Sequence, residues 1–567
     1  MKKGLLILVF FVSFFSISNA QTDRYWSGGS GSSNNIDQGA NWFSGNPSSN
    51  DNLYYNNTSG GRFISNSNYG AGSFFNFLIS YTGAGAINFT GDNSYFRKIE
   101  NNNNSSVLTI SNNTIGNRPN ENIEINPVGS GGLALTGSTF TMDCNNAGNP
   151  QLRIYGNNTL SISNAIVQSN TSGGRSASFQ IMSGSTPTVT LTGACSYTGL
   201  TTINGGTLRL NRSGGSTLPS TNSITVSGGT LRVSSNQSLV NLDLSSGGNL
   251  TIDAGAALTV TGTYTPGTGT INNQGTLVLQ GAGNHNFPVA TTVTNMNNLS
   301  ISKSSGVVTL TSNLTISGVL TLSGGTLAVD TRTLTLNGGA IVTSGGTLTT
   351  TSNSSLSFGG SNTGPLTIPS SVVSLSNLTL DNSASARVDI NSNLSIAGAL
   401  ALTSGTLSIG ANTLTLAGTV SRVSGFLRGS NSSNLVVQGS TAKTLDFDQS
   451  TDGSHQNPTT GTNCLNNLTL SANGNLKLGN KVNLYGILST TAGISLDLGD
   501  GLLVFRNTAT TTSRIADLTS GAGTITGTAI SEIYLHAQRR AWRFITNPTP
   551  IAGGTIANNW QSAFGFG

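Results

Sequence analysis

The chain is short of charge, cysteine, histidine and glutamate. Only 8% of its 567 residues are charged, against about 25% in an average soluble domain. The 25 Lys and Arg and 20 Asp and Glu leave a net charge of +5. Nucleic-acid binding needs clustered Lys and Arg, and charge this thin predicts no nucleic-acid partner. The three cysteines, Cys144, Cys195 and Cys464, are odd in number and widely spaced, so they form no disulfide framework. Either one Cys144–Cys195 bridge or three buried apolar thiols fits them. Histidine is limited to His285, His455 and His536, and there is no CxxC pair; neither a metal site nor a cofactor is expected. Glutamate occurs only at Glu100, Glu121, Glu124 and Glu532, so Asp is the one acid available from 125 to 531. Helices favour Ala, Glu, Lys and Leu. A chain this poor in Glu and Lys is expected to be neither an α/β enzyme nor a coiled coil.

What is abundant is equally specific. Counted along the sequence there are 73 Gly, 78 Ser, 75 Thr and 67 Asn, just over half the protein, with Pro held to 13. Disordered chains combine low hydrophobicity with high net charge. Here 35% of residues are hydrophobic and they recur regularly, which predicts an ordered chain.

At the start, Lys2 and Lys3 precede the apolar run Leu5 to Val12, and Ser18-Asn19-Ala20 supplies small residues for cleavage. This reads as a secretory signal over residues 1–20. The stretch from Gly4 to Ile17 is too short to span a bilayer comfortably. The mature chain is therefore expected outside the cell, delivered by the export machinery.

The strongest pattern is a recurring triplet, apolar–polar–apolar. It appears as Leu314-Thr315-Ile316, Leu320-Thr321-Leu322, Leu327-Ala328-Val329 and Leu334-Thr335-Leu336, and again as Leu378-Thr379-Leu380, Leu394-Ser395-Ile396 and Leu414-Thr415-Leu416. Period-two alternation marks short strands with one face inward. A second period lies above it. Gly205-Gly206-Thr207-Leu208 returns as Gly228-Gly229-Thr230-Leu231, and Gly324-Gly325-Thr326-Leu327 as Gly345-Gly346-Thr347-Leu348. A third is longer: the stretch from Asn313 to Leu320 returns from Asn393 to Leu400, which reads as about four coils. Repeats of this size made of strands and tight turns predict an all-β fold, a right-handed parallel β-helix, with three short strands per coil of 20–23 residues. Inward Leu, Ile and Val would form aliphatic columns. Gly and Asn would take the left-handed corners, and the corner asparagines would stack as ladders. About fifteen coils at roughly 4.8 Å each predict a rod on the order of 70 Å.

Residues 189–210 carry a resemblance. Leu191-Thr192-Gly193-Ala194-Cys195-Ser196-Tyr197-Thr198-Gly199, then Thr201-Thr202-Ile203-Asn204-Gly205-Gly206-Thr207-Leu208, resembles the autotransporter-associated β-strand repeat of bacterial passenger domains. Cys195 stands where that pattern usually has Asn. Tyr25-Trp26-Ser27-Gly28-Gly29, Asn41-Trp42, Pro47 and Asp51 look like the opening of such secreted repeat proteins, where two Trp and a Tyr would cap the first coil. Arg539-Arg540-Ala541-Trp542-Arg543-Phe544 resembles a stretch that follows similar repeats in Bacteroidetes surface proteins. The resemblance implies a passenger or stalk of an adhesin-like protein, secreted or on the outer cell surface. The expected organisation is a signal peptide (1–20), an N-terminal cap with irregular first coils (21–130), solenoid repeats (131–530) and the start of a further, apparently truncated module (531–567).

Several clusters are candidates for chemistry. Many β-helices cleave polysaccharides, and hydrolysis usually needs two carboxylates. Asp446 and Asp448 alternate onto one strand face, with Lys443 nearby and Asp452 and His455 following. They read either as a Ca²⁺ or acid–base pair or as a solvated face. Arg209, Arg212 and Arg232 read either as a basic strip for an acidic glycan or as exposed side chains. The aromatics Tyr54, Tyr55, Phe63, Tyr69, Phe74, Phe75, Phe77, Tyr81, Phe89, Tyr95 and Phe96 offer stacking platforms or core packing. Thr333-Leu334-Thr335, Thr347-Leu348-Thr349 and Thr413-Leu414-Thr415 raise an ice-binding face, which would need them at one place on successive coils. No residue is singled out as catalytic and no binding residue is assigned. The expected function is a structural, adhesin-like solenoid binding an extracellular polysaccharide or a host or cell surface; the alternative is a polysaccharide lyase or hydrolase.

Overall fold

The computed structural model describes residues 95–532, apart from internal stretches of one to six residues, and before residue 95 only the backbone of the strands. The expected signal (1–20) and the segment 533–567 lie outside the described residues, as do the side chains of the early aromatics other than Tyr95 and Phe96.

The chain is all-β, with parallel strands stacked into a solenoid of about 18 turns and about 22 residues per turn. At about 4.8 Å per turn this is a rod on the order of 85 Å, longer than fifteen coils would give. The triplets are its strands. Thr333–Leu336 alternates partly exposed and buried residues, so Leu334 and Leu336 point inward. Each inward residue then stacks on its equivalent one turn away. Leu314 pairs with Leu334, Leu334 with Leu356, Leu356 with Leu378 and Leu378 with Leu400. All five are at most 1% exposed. The core is thus a set of aliphatic columns running along the rod. Each methyl-bearing side chain excludes water between two neighbours, and burial stabilises it by about 1.5–3 kcal/mol.

From residue 355 onward the cross-section has three faces. Ser355–Gly360, Asn377–Asn382 and Leu400–Ser404 build one. Pro365–Ile368, Arg387–Ile390 and Thr406–Ser408 build the second. Ser374–Leu375, Leu394–Ile396 and Thr413–Leu416 build the third. The Gly-Gly-Thr-Leu period is one turn, because Thr207 pairs with Thr230 and Thr326 with Thr347.

The longer repeat behaves differently. Leu314 lies in the column of Leu400, whereas Leu394 pairs with Leu414 on another face. The return of Asn313–Leu320 as Asn393–Leu400 is therefore not a whole number of turns; it lands one face early. What repeats is a corner with its strand. The N–H of Thr333 donates to Asn313 Oδ1 at 2.9 Å, and that of Thr413 to Asn393 Oδ1 at 2.9 Å, each 20 residues ahead. The corner has the same chemistry on either face.

This contact recurs along the rod. The N–H groups of Thr270, Ala399 and Ile487 donate to the side-chain oxygens of Asn249, Asn377 and Asn467, one turn behind, at 2.8–2.9 Å. Corner asparagines mostly hold the backbone of the next turn. Direct Asn–Asn stacking occurs at Asn467 Nδ2 to Asn434 Oδ1, 2.8 Å. Glycine is required where turns touch. At Gly306, φ is +89° and a Cβ would lie 2.2 Å from Gly283 O.

Scarce charge is used between turns. Arg97–Glu121, Arg232–Asp253, Arg422–Asp446, Arg428–Asp448, Lys477–Asp497, Lys481–Asp452 and Arg506–Glu532 all join neighbouring turns. In a parallel stack a residue's nearest neighbour is its equivalent in the next turn. Like charges would repel there and opposite charges attract.

Candidate functional site

Among the described residues a group of charged and amide side chains surrounds one long turn. Leu435 pairs with Leu468, and the asparagine contact that spans them bridges 33 residues. The excess length lies between Phe447 and Cys464, both of which pair within the stack. Phe447 itself is fully buried and bridges to Leu427, which places Asp446 and Asp448 outward on one face, as alternation predicts. Each carboxylate faces an arginine of the preceding turn. Arg422 Nε lies 3.7 Å from Asp446 and Arg428 Nη1 3.6 Å from Asp448. Arg422 also stacks on the ring of Phe426, 4.4 Å from its centroid. Asp448 accepts from the N–H and hydroxyl of Ser450, both at 2.9 Å, which starts the loop. Gly479 of the next turn packs against the Asp446 carboxylate, leaving no room for a Cβ. Both acids are engaged as struts between turns.

Lys443 does not join them. It shares the inward parity of Leu445 and Phe447 and is fully buried. Its ammonium donates to the carbonyls of Gln438 (2.6 Å), Thr441 (2.9 Å) and Gly439 (3.3 Å). Burial lowers its pKa from the usual lysine value. Asp452, four residues after Asp448, is tied to the next turn. It accepts from Lys481 Nζ (2.9 Å), Asn483 Nδ2 (2.8 Å) and Asn463 Nδ2 (3.1 Å). Burial alone would raise its carboxyl; those three donors outweigh it and bring the pKa down to about 2. Asn463 and Asn483 are fully buried, and Arg506 Nε donates to Asn483 Oδ1 at 2.8 Å. Tyr485 donates to Gly453 O at 2.9 Å. His455 lies outside the described residues. Among the described residues no three His, Cys, Asp or Glu side chains come close enough to hold a metal ion. The buried amide network was missed from sequence. Its signal was the absence of triplets between Leu445 and Leu465, which marks an excursion.

Arg209 and Arg232 are direct neighbours in the stack, as a 23-residue spacing predicts. They do not form a free basic strip. Arg232 pairs with Asp253 at 3.0 Å, Arg209 Nε donates to Ser234 Oγ at 2.8 Å, and Arg212 donates to Ser216 O at 2.8 Å. The three Thr-Leu-Thr triplets share no row: Thr333 pairs with Ser355, Thr347 with Thr326, and Thr413 with Asn434, in three different sheets. This removes the uniform threonine face that ice binding would need. All three cysteines are free and buried, so Cys144 and Cys195 are not bridged. Burial pushes the Cys195 thiol up to about 12 and that of Cys464 up to about 11.

The outward rows are made of short polar side chains. Thr333, Ser355 and Asn377 form one row, and Thr335, Ser357 and Thr379 the next. In comparisons with known proteins the chain matches no family model, no curated protein and no solved structure.

Proposed function

We propose that the protein is a secreted or cell-surface rod, adhesin-like, that engages an extracellular polysaccharide or a cell surface through many weak contacts. The observation that carries this reading is the outward register of hydroxyl and amide groups, such as Thr335, Ser357 and Thr379 on successive turns. Such rows repeat about every 4.8 Å and offer a polymer the same donors and acceptors many times. Each contact is weak, and the affinity comes from their number. The apolar run and small residues of positions 1–20 support export. The test is retention of the full chain on a panel of insoluble polysaccharides. Retention that soluble monosaccharide fails to compete supports the reading; no retention on any polymer, and none on intact cells, refutes it.

A second reading is a polysaccharide lyase or hydrolase, favoured by the shared outward face of Asp446 and Asp448. Release of oligosaccharides by the full chain, abolished in Asp448→Ala, would establish it in place of the first.

A further inference from the structure

One face of the stack is interrupted between residues 293 and 314. Val293 stacks on Ile271 of the preceding turn, whereas Leu314–Ile316, the first strand of its sheet, pairs onward with Thr333–Leu336. Among the described residues these two successive turns are hydrogen-bonded at two closures. At one, Phe287 pairs with Leu310 and the N–H of Thr311 donates to Phe287 O at 3.1 Å. At the other, the N–H of Ser317 donates to Met296 O at 2.8 Å. The earlier turn runs from 287 to 296 and the later from 310 to 317, so the earlier carries two more residues across the same span. A groove of about 320 Å³ lies between them.

Val293, Asn295 and Met296 form one wall; Ser312, Thr315 and Ser317 form the other. No charged side chain is among the described residues lining it. Some polar groups there are already used. Thr294 donates to Ile271 O at 3.2 Å, and Ser317 donates to Met296 O at 3.2 Å and to Asn295 Oδ1 at 3.5 Å. The hydroxyls of Ser312 and Thr315 and the amide nitrogen of Asn295 have no protein partner among the described residues. The volume is at the low end of the 300–1,000 Å³ typical of small-ligand sites.

We infer that this groove binds one or two units of a neutral saccharide. Two hydroxyls and an amide match the donor and acceptor pattern of sugar hydroxyls, and Val293 supplies an apolar contact for the C–H face of a ring. A lining without charge fits a neutral sugar rather than a uronic or sulfated one. An extended peptide fits less well, because the closures at Met296 and Phe287 leave too short an edge for strand addition. The inference rests on the polysaccharide-binding reading and assigns it a specific subsite.

The experiment uses the full chain and neutral mono- and disaccharides at about 10 mM, in the range of weak single-site binding, read by ligand-observed NMR. Thr315→Val removes one hydroxyl at constant shape and is expected to weaken binding about three- to tenfold. Ser312→Trp fills the groove and is expected to abolish it. Circular dichroism of both variants checks that the fold is kept. Sugar binding unchanged in a folded Ser312→Trp overturns the inference. So does retention on a polymer with no small-sugar binding, but that result leaves the rod reading standing. Failure of polymer and small sugar alike overturns the inference together with the polysaccharide-binding reading on which it rests. Binding of an extended peptide at the groove, in place of sugar, also overturns it.

Discussion

Truncating one rung of an aliphatic column should weaken the rod locally and strongly. Leu378 is fully buried, with Leu356 below and Leu400 above in register. Its N–H donates to Ala399 O at 2.9 Å on one side, and its strand pairs in register with Ser355–Gly360 on the other, so the backbone spacing is fixed on both sides. In Leu378→Ala the neighbours cannot collapse into the space, because the hydrogen-bond ladder fixes the distance between turns. The cost should therefore sit in the upper part of the large-to-small range, about 3–5 kcal/mol. Stability in a stacked repeat is a sum of nearest-neighbour terms, so the loss should stay near its origin. Hydrogen exchange of the full chain reads this directly. Amide protection across Ser355–Gly360, Asn377–Asn382 and Leu400–Ser404 should fall by about a hundredfold or more. Protection of Thr159–Ile162, many turns away, should be unchanged. Thr379→Ala, on the outward side of the same strand, should change stability by less than about 0.5 kcal/mol. A fall of less than about threefold for Leu378→Ala would refute the stacking argument. An equal fall at Thr159–Ile162 would refute its local character.

Asn377 bridges three turns, accepting from the Ala399 N–H at 2.8 Å and donating to Ser355 Oγ at 3.1 Å; Asn377→Ala should cost about 1–2 kcal/mol by denaturant titration, with most of the loss recovered by no apolar substitute. Asp452 has a folded pKa depressed to about 2, so its contribution is complete above the ordinary carboxylate range and is lost as pH falls through about 2. Exchange of the amides around Gly453 and Asn463 should accelerate over that window, and Asp452→Asn should flatten the response. Cys195 and Cys464, with thiols pushed to about 12 and 11, should resist alkylation at pH 8 in the folded chain and react on unfolding; rapid native labelling of either would contradict their burial. Gly306→Ala places a Cβ against Gly283 O at φ +89° and should destabilise by more than Gly174→Ala, where φ is +75° and nothing lies within 4 Å, as compared by thermal melting.

Much of the architecture was legible because one rule sets it. A side chain in a parallel stack meets its own equivalent, so triplets such as Leu334-Thr335-Leu336 recur at the turn length. The Gly-Gly-Thr-Leu copies gave that length correctly at Thr207 and Thr230. The longer repeat misled, since corners at Asn313 and Asn393 are chemically alike on different faces. Sequence similarity marks the local unit and does not say which face it occupies. The candidate site was half legible. Alternation placed Asp446 and Asp448 on one side, but their arginine partners come from the preceding turn, and that register depends on turn lengths. Lys443 was grouped with the acids by proximity in sequence, while its parity put it inside with Leu445. The groove at Asn295 and Thr315 had no sequence signal, because it depends on which residues of successive turns fall opposite one another.

The register of the stack underlies every one of these statements, and engineered disulfides test it most directly. Thr335 and Ser357 are direct outward neighbours on successive turns, and Thr379 is one turn further. Parallel neighbours are about 4.8 Å apart, within the Cα separation of about 4.4–6.8 Å that a disulfide accepts. The double variant Thr335→Cys with Ser357→Cys should therefore cross-link completely on mild oxidation, as read by peptide mass spectrometry. Thr335→Cys with Thr379→Cys, two turns apart, should remain reduced. Linkage of the second pair, or failure of the first in a folded chain, would contradict a parallel solenoid closed every 22 residues or so.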